Sequence, residues 1–352
     1  RMVLDKIKSL KGILYRKFVK AKEEKEVELP GFKIRKPLGL EEIPSFDDIR
    51  KVNVIYPLIE PFAYAHIKWN KEREELVYDV IEPRLSEEEE KILKDISEAL
   101  IELVEVGLSA IKEEEKVIEY LETRVKKIIK DLGIKISPAQ YVKIMYFIYR
   151  NFVGFNQIEP LLKDPNIEDI SCDGVNIPIF VFHRNPKIGS VITNVVFEDR
   201  EELDSFVIRL AQLCGKSISV ASPLLDGSLP DGSRVQATLG SDIARRGSNF
   251  TIRKFTEKPF SPIHLLHYGT LDVKILAYLW LTVDYGRNVL VSGGTASGKT
   301  TLLNVLSLFI RPERKIVSIE DTAELKLPHP HWVPQVARVP IVSGERKRGE
   351  ID

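Results

Sequence analysis

The sequence predicts a multidomain protein of the α/β class, and three observations support this prediction. Its 352 residues exceed the length of one ordinary domain, which is about 100 to 150 residues. Helical spacing of apolar residues dominates positions 86–149, whereas short β-type runs broken by Gly, Pro and Asp follow from Gly154. From Thr270 the chain alternates helix, strand, loop, helix and strand, which is the order of a parallel α/β core.

The first predicted segment, residues 1–36, is a basic amphipathic arm. Leu4, Ile7, Leu14 and Phe18 recur at helical spacing among lysines and arginines. Basic helices of this kind can lie on an anionic membrane surface or dock on a partner, and the simpler interpretation is a surface helix that covers a neighbouring domain. The sequence leaves these interpretations open.

Residues 37–153 are predicted to form a mixed amino-terminal domain with a helical bundle. Tyr, Ile, Val and Trp are enriched at 52–80, which is typical of short strands, and an amphipathic helix is predicted at 112–132. Two capping boxes predict helix starts, because in each a serine hydroxyl can accept from the amide three residues on, while that residue's side chain reaches back. The boxes are Ser86 with Glu89 and Ser137 with Gln140.

Residues 154–256 are predicted to form a separate α/β domain of short strands around one helix at 200–213. Prolines mark a linker within 257–269, and residues 270–352 then begin the parallel core. The first elements of that core are predicted as a strand at 288–292, a helix at 300–309 and a strand at 315–319.

Composition narrows the class of protein. The 52 Lys and Arg balance the 52 Asp and Glu, so no global excess of charge indicates a nucleic-acid partner. Two cysteines, Cys172 and Cys214, cannot build a disulfide framework or a four-cysteine zinc site, and they suit a reducing compartment. The longest strongly apolar stretch, at 275–283, is shorter than the roughly 18 residues that cross a bilayer. We therefore expect a cytoplasmic protein without a membrane span.

The clearest functional motif is a glycine-rich loop between the predicted strand at 288–292 and the helix that follows. Its residues are Gly293, Gly294, Thr295, Ala296, Ser297, Gly298, Lys299 and Thr300, which match the pattern G-x-x-x-x-G-K-[ST] in full. Backbone amides of such a loop curl round phosphates, and the helix adds its positive amino end. Lys299 supplies a mobile positive charge, and Thr300 can offer its hydroxyl to Mg²⁺. The sequence thus predicts a nucleotide-binding site.

Acidic residues follow the next predicted strand. Glu320 stands at the strand end beside the loop, where a carboxylate can orient and polarise an attacking water. Asp321 and Glu324 are either ligands of metal-bound water or members of a solvated acidic turn, and the sequence leaves both open. We therefore assign the catalytic carboxylate to Glu320.

Three arginines lie on or between the short strands that precede the linker. They are Arg234, Arg246 and Arg253. An arginine held across a domain or subunit boundary can stabilise the charge on a phosphoryl group during transfer. The alternative is a basic sheet edge or a set of salt bridges, and the sequence does not decide between them.

Several segments occur in an order that resembles the type II/IV secretion ATPases. The segments are Gly154–Leu162, Ile167–Ile170, Leu229–Val235, the phosphate loop and Ile319–Thr322. Three further matches, Ser171–Gly174, Ile252–Thr256 and the loop sequence itself, are similar to the archaeal branch, which includes GspE-like secretion ATPases and archaellum motors. The resemblance covers roughly residues 137–345, and the first 130 residues are only generically compatible with a variable amino-terminal domain.

The resemblance implies a fold, ligands and partners. It implies a PAS-like domain at 154–256, a RecA-like P-loop domain from residue 270, and a homohexameric ring that binds ATP and Mg²⁺ between these two domains. The implied ATP-binding residues run from Gly293 to Thr301, with Lys299 and Thr301 on either side of the metal-binding Thr300. The implied partner is a polytopic membrane platform protein at the inner face of the cell membrane, and no nucleic acid is expected. An anionic membrane surface stays open as a partner of the basic arm.

The implied catalytic residues are Glu320, in the family's Asp box, and Lys299, with the three arginines as contacts of the phosphates. The implied activity is ATP hydrolysis that powers assembly or secretion of pilin-like subunits. Because the sequence stops at Asp352, before the family's Walker B and His box, we expect a fragment or a truncated record of a longer protein.

Two other functions stay open at this point. A nucleic-acid motor on the same RecA-like core would need a basic or aromatic groove for the strand, and the zero net charge disfavours it. A nucleotide-binding scaffold without hydrolysis would follow if the later motifs were absent from the protein. Residues 315–321 can also be interpreted as a Walker B strand, although the family order makes them the Asp box.

Overall fold

The protein is described here by a computed structural model. The structure describes residues 29–37, 46–104, 114–185, 187–240, 244–255, 259–294, 297–321, 323–337, 341–343 and 346–348. The chain divides into two compact units, which comprise Arg1–Asn166 with Thr193–Val195 and Ile167–Ile192 with Val196–Asp352. The predicted helix of the basic arm lies outside the described residues.

The first unit contains an antiparallel three-stranded meander. Its strands are β1 (Asn53–Ile59), β2 (Ala63–Asn70) and β3 (Glu75–Ile81). Side chains alternate between buried and more exposed along β2, as expected when one face of a sheet packs on a core. The strand prediction at 52–80 is therefore confirmed.

Three helices complete most of the first unit's core. They are α1 (Glu87–Val104), α2 (Glu114–Asp131) and α3 (Pro138–Ile148). The buried side chains of these helices include Ile96, Val125 and Tyr146. The end of the predicted arm packs here as well, because Phe32 is buried and its ring lies 5.6 Å from that of Phe62.

Both predicted capping boxes are present. The Ser86 amide donates to Glu89 Oε2 at 2.8 Å, and the Glu89 amide donates to Ser86 Oγ at 3.3 Å. At the second box, the Ser137 amide donates to Gln140 Oε1 at 3.0 Å, and the Gln140 amide donates to Ser137 Oγ at 3.3 Å. These bonds satisfy amides that the first helical turn leaves without partners.

The first unit continues to Asn166, beyond the Gly154 at which the sequence predicts a new domain. After a π-helical turn and a 3-10 turn, the short helix α4 (Glu159–Lys163) leads to the fully buried Asp164. Asp164 Oδ2 accepts from the hydroxyls of Tyr56 and Tyr78 at 2.7 and 2.6 Å. These bonds join the segment that follows Gly154 to the meander.

The second unit begins with an antiparallel sheet. In chain order the strands of this sheet are β4 (Ile167–Cys172), β5 (Pro178–His183), β6 (Ser190–Val196), β7 (Leu224–Ser228), β8 (Arg234–Thr238) and β9 (Asn249–Arg253). Thr193–Val195 of β6 are counted with the first unit and the rest of the strand with the second. Their spatial order is β6-β5-β4-β9-β8-β7. The helix α5 (Arg200–Leu213) packs through Phe206, whose ring lies 5.3 Å from Phe197 and 5.2 Å from Phe250. The predicted helix and strands of residues 154–256 are confirmed.

The second unit also contains the helices α6 (Pro262–His267), α7 (Val273–Asp284) and α8 (Lys299–Ser307). Strand β10 (Ile316–Glu320) pairs in parallel with β11 (Trp332–Val336), and β12 (Ile341–Ser343) pairs antiparallel with β13 (Arg346–Arg348). Leu276, Leu306 and Phe309 form a small apolar cluster between α7 and the end of α8. The protein is thus a mixed α/β protein, as the sequence predicts.

One predicted element of this region is wrong. Residues 288–292 form no strand, and no strand of the described residues pairs with them. Leu290 within this segment is 92% exposed. A run of apolar residues has strand propensity, but a strand forms only when a neighbouring strand accepts its hydrogen bonds.

Among the described residues, no helix combines the length and the apolar character that a bilayer crossing requires.

Candidate nucleotide-binding site

The phosphate loop leads into α8 through a glycine with left-handed backbone. Gly298 precedes the helix and has φ +84°, a conformation that side-chain-bearing residues rarely adopt. Gly293 is confined as well, because a Cβ atom there would lie 2.6 Å from Ser297 Oγ. Ser297 Oγ in turn donates to the Gly294 carbonyl at 2.9 Å. The loop therefore favours glycine at Gly293 and Gly298, and Thr295 and Ala296 lie outside the described residues.

The first turn of α8 presents the predicted contact residues. Lys299, Thr300 and Thr301 occupy its first three positions, and the first intrahelical bond joins the Leu302 amide to the Gly298 carbonyl at 2.9 Å. Amides of a first helical turn have no intrahelical acceptor, so they add to the positive end of the helix dipole. Lys299 Nζ donates back to the Gly294 carbonyl, which places its charge over the loop.

Glu320 ends β10 and is held by the backbone that follows. Its Oε2 accepts from the amides of Glu324 and Leu325 at 2.7 and 2.9 Å, and Ser318 Oγ donates to its Oε1 at 3.3 Å. Ser318 Oγ also accepts from Trp332 Nε1 at 3.0 Å. The carboxylate is therefore fixed in orientation, while its predicted role toward water stays a prediction.

Asn304 is a residue of this region that the sequence analysis missed. It lies on α8, is 4% exposed, and its Oδ1 accepts from the Lys326 amide at 3.0 Å. The bond ties the helix of the phosphate loop to the segment that follows Glu320. The signal in the sequence was an amide side chain within the apolar face of a short helix.

Two of the three predicted arginines lie side by side, and the third does not join them. Arg234 of β8 and Arg253 of β9 are direct Cα partners at one end of the β8–β9 ladder. The pair Thr238 and Asn249 closes the other end, about 13 Å away at the usual rise per residue. Arg246 lies in the connection beyond that end, is exposed, and its carbonyl accepts from an amide at 3.0 Å.

The arginine pair lies in the field of the acidic residues after β10. The hydrogen bond to Asp226 raises the pKa of Arg234 most, and the charges of Glu324 and Asp321 raise it further. The hydrogen bond to Asp169 raises the pKa of Arg253 most, with a further contribution from Glu324. The structure therefore brings Arg234 and Arg253 toward the turn that begins at Glu320.

The residues of the loop fit a nucleotide with its metal ion. The amino end of a nine-residue helix and the Lys299 ammonium together supply donors and positive charge for a polyphosphate. The Thr300 hydroxyl, in the first turn, is of the oxygen type that Mg²⁺ prefers. A triphosphate bound as its magnesium complex thus matches this donor set.

Comparisons with known proteins place this chain in a family. The family described as Type II/IV secretion system protein matches residues 155–346, which is more than half of the chain. An uncharacterized protein of Methanocaldococcus jannaschii is 37% identical over 309 residues, covering 83% of this chain and 55% of that protein. The type IV secretion system protein PtlH of Bordetella pertussis is 34% identical over 148 residues, covering 36% of this chain and 43% of that protein.

A solved structure is similar over part of the chain. The VirB11 ATPase from the Brucella suis type IV secretion system is 24% identical with a TM-score of 0.28, covering 50% of this chain and 58% of that one. A TM-score this low does not by itself establish a shared fold. The chain spans about half the length of the two relatives described above. On the match of residues 155–346 and the motifs within it, the chain belongs to the Type II/IV secretion system protein family, the superfamily of secretion ATPases.

Proposed function

We propose that the protein is an ATP-hydrolysing motor that powers a secretion system or the assembly of pilin-like subunits. The observation that carries this proposal is the pair of constrained glycines, Gly293 and Gly298, before α8, with Lys299 and Thr300 in the first turn of that helix. Membership of a family of secretion ATPases supports the same activity. The resemblance implies the archaellum as another filament that such a motor could drive.

The proposed mechanism assigns a role to each group of the site. The loop amides and Lys299 bind the phosphates, and Thr300 would hold Mg²⁺. A bound Mg²⁺ would neutralise charge on the outer phosphate oxygens. Glu320 accepts a proton from water as the water oxygen bonds to the γ-phosphorus and the bond to the β–γ bridging oxygen breaks. The products are ADP and phosphate, and arginines stabilise the charge that develops.

The proposed assembly extends this mechanism to a ring. In it, residues 154–256 act as a PAS-like domain and the chain from residue 270 as a RecA-like domain, with ATP between them in a homohexamer. Closure on ATP then moves a polytopic platform protein at the inner face of the membrane. Arg246 lies beyond the far end of the β8–β9 ladder from Arg234 and Arg253. In the ring, its contact with phosphate would therefore be separate from the contact that Arg234 and Arg253 make.

The proposal is tested with Lys299→Ala in the full-length protein. Losing a hydrogen bond to a charged group costs about 1.5 to 3 kcal/mol, so ATP affinity should fall about 10- to 140-fold. The control is Lys315→Ala, which removes an exposed lysine just before β10 and should leave affinity unchanged. Unchanged ATP affinity in Lys299→Ala, measured by calorimetry, would overturn the site assignment.

A second measurement separates the rival functions. Hydrolysis of ATP is followed with anionic liposomes, with single-stranded nucleic acid and with neither, alongside the mass of the assembly. Turnover by a hexamer that responds to lipid and not to nucleic acid supports the secretion motor. Stimulation by the strand indicates a nucleic-acid motor, and binding without turnover indicates a scaffold.

A further inference from the structure

A row of four charged side chains crosses the end of the second unit's sheet. Asp169 of β4 is the Cα partner of Arg253 of β9, and Arg253 is the Cα partner of Arg234 of β8. On the outer side, Asp226 of β7 forms an ion pair with Arg234, from a position two residues along its strand from the direct partner. Across the sheet the charges therefore read negative, positive, positive, negative.

The two arginines at the centre of this row would repel each other without the aspartates. Like charges directly opposite each other on neighbouring strands destabilise the pairing and turn the side chains apart. The two outer carboxylates offset this repulsion, one for each guanidinium. The pKa of Asp226 is correspondingly lowered, chiefly by its hydrogen bond from Arg234.

Both ion pairs use the same edge of the arginine. Arg234 donates from Nε to Asp226 Oδ1 at 3.2 Å and from Nη2 to Oδ2 at 3.0 Å. Arg253 donates from Nε to Asp169 Oδ1 at 3.0 Å. A guanidinium carries five N–H donors in a planar fork. The two ion pairs use Nε and Nη2, and neither uses the two N–H groups of Nη1. Each arginine can therefore keep its aspartate while it binds a second anion.

The backbone beneath the row is also fixed. Ser233 Oγ accepts from the Phe255 amide at 3.1 Å and donates to Asp231 Oδ2 at 2.9 Å. Gly232 lies so close to the Phe255 ring that a Cβ there would be 2.9 Å from Cδ1. The residues next to both arginines are thus held together across the ladder.

This end of the sheet lies against the segment after β10. Lys326 Nζ stands 4.0 Å from the centroid of the Phe255 ring, a cation–π contact. Lys326 follows the turn that Glu320 organises, and its amide is bound by Asn304 of α8. The arginine pair therefore sits beside the turn that joins the candidate catalytic carboxylate to the phosphate-loop helix.

We propose that Asp169 and Asp226 are positioning residues for ATP hydrolysis. They hold Arg253 and Arg234 side by side through the Nε edge, so that the outer edge of each guanidinium is presented to phosphate oxygens. This inference rests on the proposed function, because ATP is the anion that it assigns. It adds two aspartates that act through the arginines and need no contact with the nucleotide.

The expected effect falls on turnover. Arginines that stabilise the transferring phosphoryl group act in the transition state, so loss of their alignment lowers kcat and leaves KM nearly unchanged. We expect Asp226→Asn to lower kcat about tenfold, which is modest for misalignment at a reacting centre. Asp169→Asn should act in the same direction. Exposed ion pairs contribute little to stability, so both variants should remain folded.

The test is a double-mutant cycle on the full-length protein. kcat and KM for ATP are measured for wild type, Asp226→Asn, Arg234→Ala and the double variant. Acting through Arg234, Asp226 should matter only when that arginine is present, so the double variant should match Arg234→Ala. The matched control is Asp48→Asn, which removes an ion pair with the same Nε and Nη2 geometry, made by Arg50 in the first unit. It should leave kcat unchanged.

Each outcome decides a separate point. If wild type hydrolyses ATP and Asp226→Asn keeps the wild-type kcat, the positioning role is overturned and the proposed function stands. Additive losses in the cycle also overturn it, since they show that Asp226 acts independently of Arg234. If wild type neither binds nor hydrolyses ATP, the proposed function fails and the positioning role with it.

Discussion

Helices α3 and α7 are similar in length and in apolar content, yet they differ in what surrounds them. In α3, six of the eleven side chains are buried, namely Tyr141, Ile144, Met145, Tyr146, Phe147 and Ile148. In α7 only Leu276 is buried, and the exposed fractions of Tyr278, Trp280 and Leu281 are 69%, 57% and 56%. Apolar composition therefore indicates a tendency to be buried, and neighbouring elements determine whether a given face is covered.

The surroundings explain the difference. The core of the first unit receives α3 between the meander and the other helices, with the ring of Tyr146 stacked 5.1 Å from that of Phe62. The helix α7 has a small cluster with α8, supported by the stacking of Trp280 on Phe309 at 5.3 Å. Substitutions in these two helices should therefore have very different effects on stability.

The largest effect is expected for Ile144→Ala in α3. Ile144 is fully buried, and deletion of its methyl and methylene groups leaves a cavity, which should cost about 3 to 4 kcal/mol of unfolding free energy. Ile144→Val, which removes one methylene, should cost about 1 kcal/mol. Urea unfolding of the first unit, followed by tyrosine circular dichroism, measures both. A loss below 1 kcal/mol for the alanine variant would contradict the packing of α3.

Local signals made much of the fold predictable from the sequence. Both capping boxes and the glycine pattern of the phosphate loop depend on residues within a few positions of one another, and the structure contains them. The carboxylate of Asp164, which receives two tyrosine hydroxyls from strands about a hundred positions earlier, had no local signal.

The candidate site shows the same limit. The sequence predicted Arg234 and Arg253 as candidate contacts of phosphate, but their direct pairing depends on the register of β8 with β9, which no local pattern fixes. The aspartates beside them come from two further strands, β4 and β7. The strand prediction at 288–292 is wrong for the same reason, because an apolar pattern does not show whether a neighbouring strand is present to pair with it. Long-range pairing is therefore what sequence reasoning lacked.

A smaller effect, dependent on pH, is expected where α3 is anchored to α1. Lys143 of α3 donates to both oxygens of Glu89 at 2.8 Å, and this bond, with the Ser86 amide, lowers the pKa of Glu89 below its ordinary 4.5. A carboxyl whose folded pKa is depressed stabilises the fold above its unfolded pKa, and the stabilisation is lost as pH falls through the folded pKa. Glu89→Gln should therefore cost about 1 kcal/mol at pH 7 and progressively less below pH 4.5.

The second capping box provides the control for this pH dependence. Gln140 does not titrate, so the cost of Gln140→Ala should be the same at pH 7 and at acid pH. Urea unfolding of each variant beside wild type, at several pH values, gives the comparison. A cost of Glu89→Gln that stays constant down to the acid end would mean that the Lys143 bond does not stabilise the fold.

The smallest effect is expected for Leu281→Ala in α7. Leu281 is 56% exposed, and alanine has the highest helix propensity, so the lost contacts and the gained propensity should nearly cancel, within about 0.5 kcal/mol. The measurement is urea unfolding followed by tryptophan fluorescence, since Trp280 lies one residue away. A loss above 2 kcal/mol would mean that this face of α7 is covered in solution. Repeating the unfolding at several protein concentrations then tells whether a second copy covers it, because a midpoint set by association shifts with concentration and one set within a single chain does not.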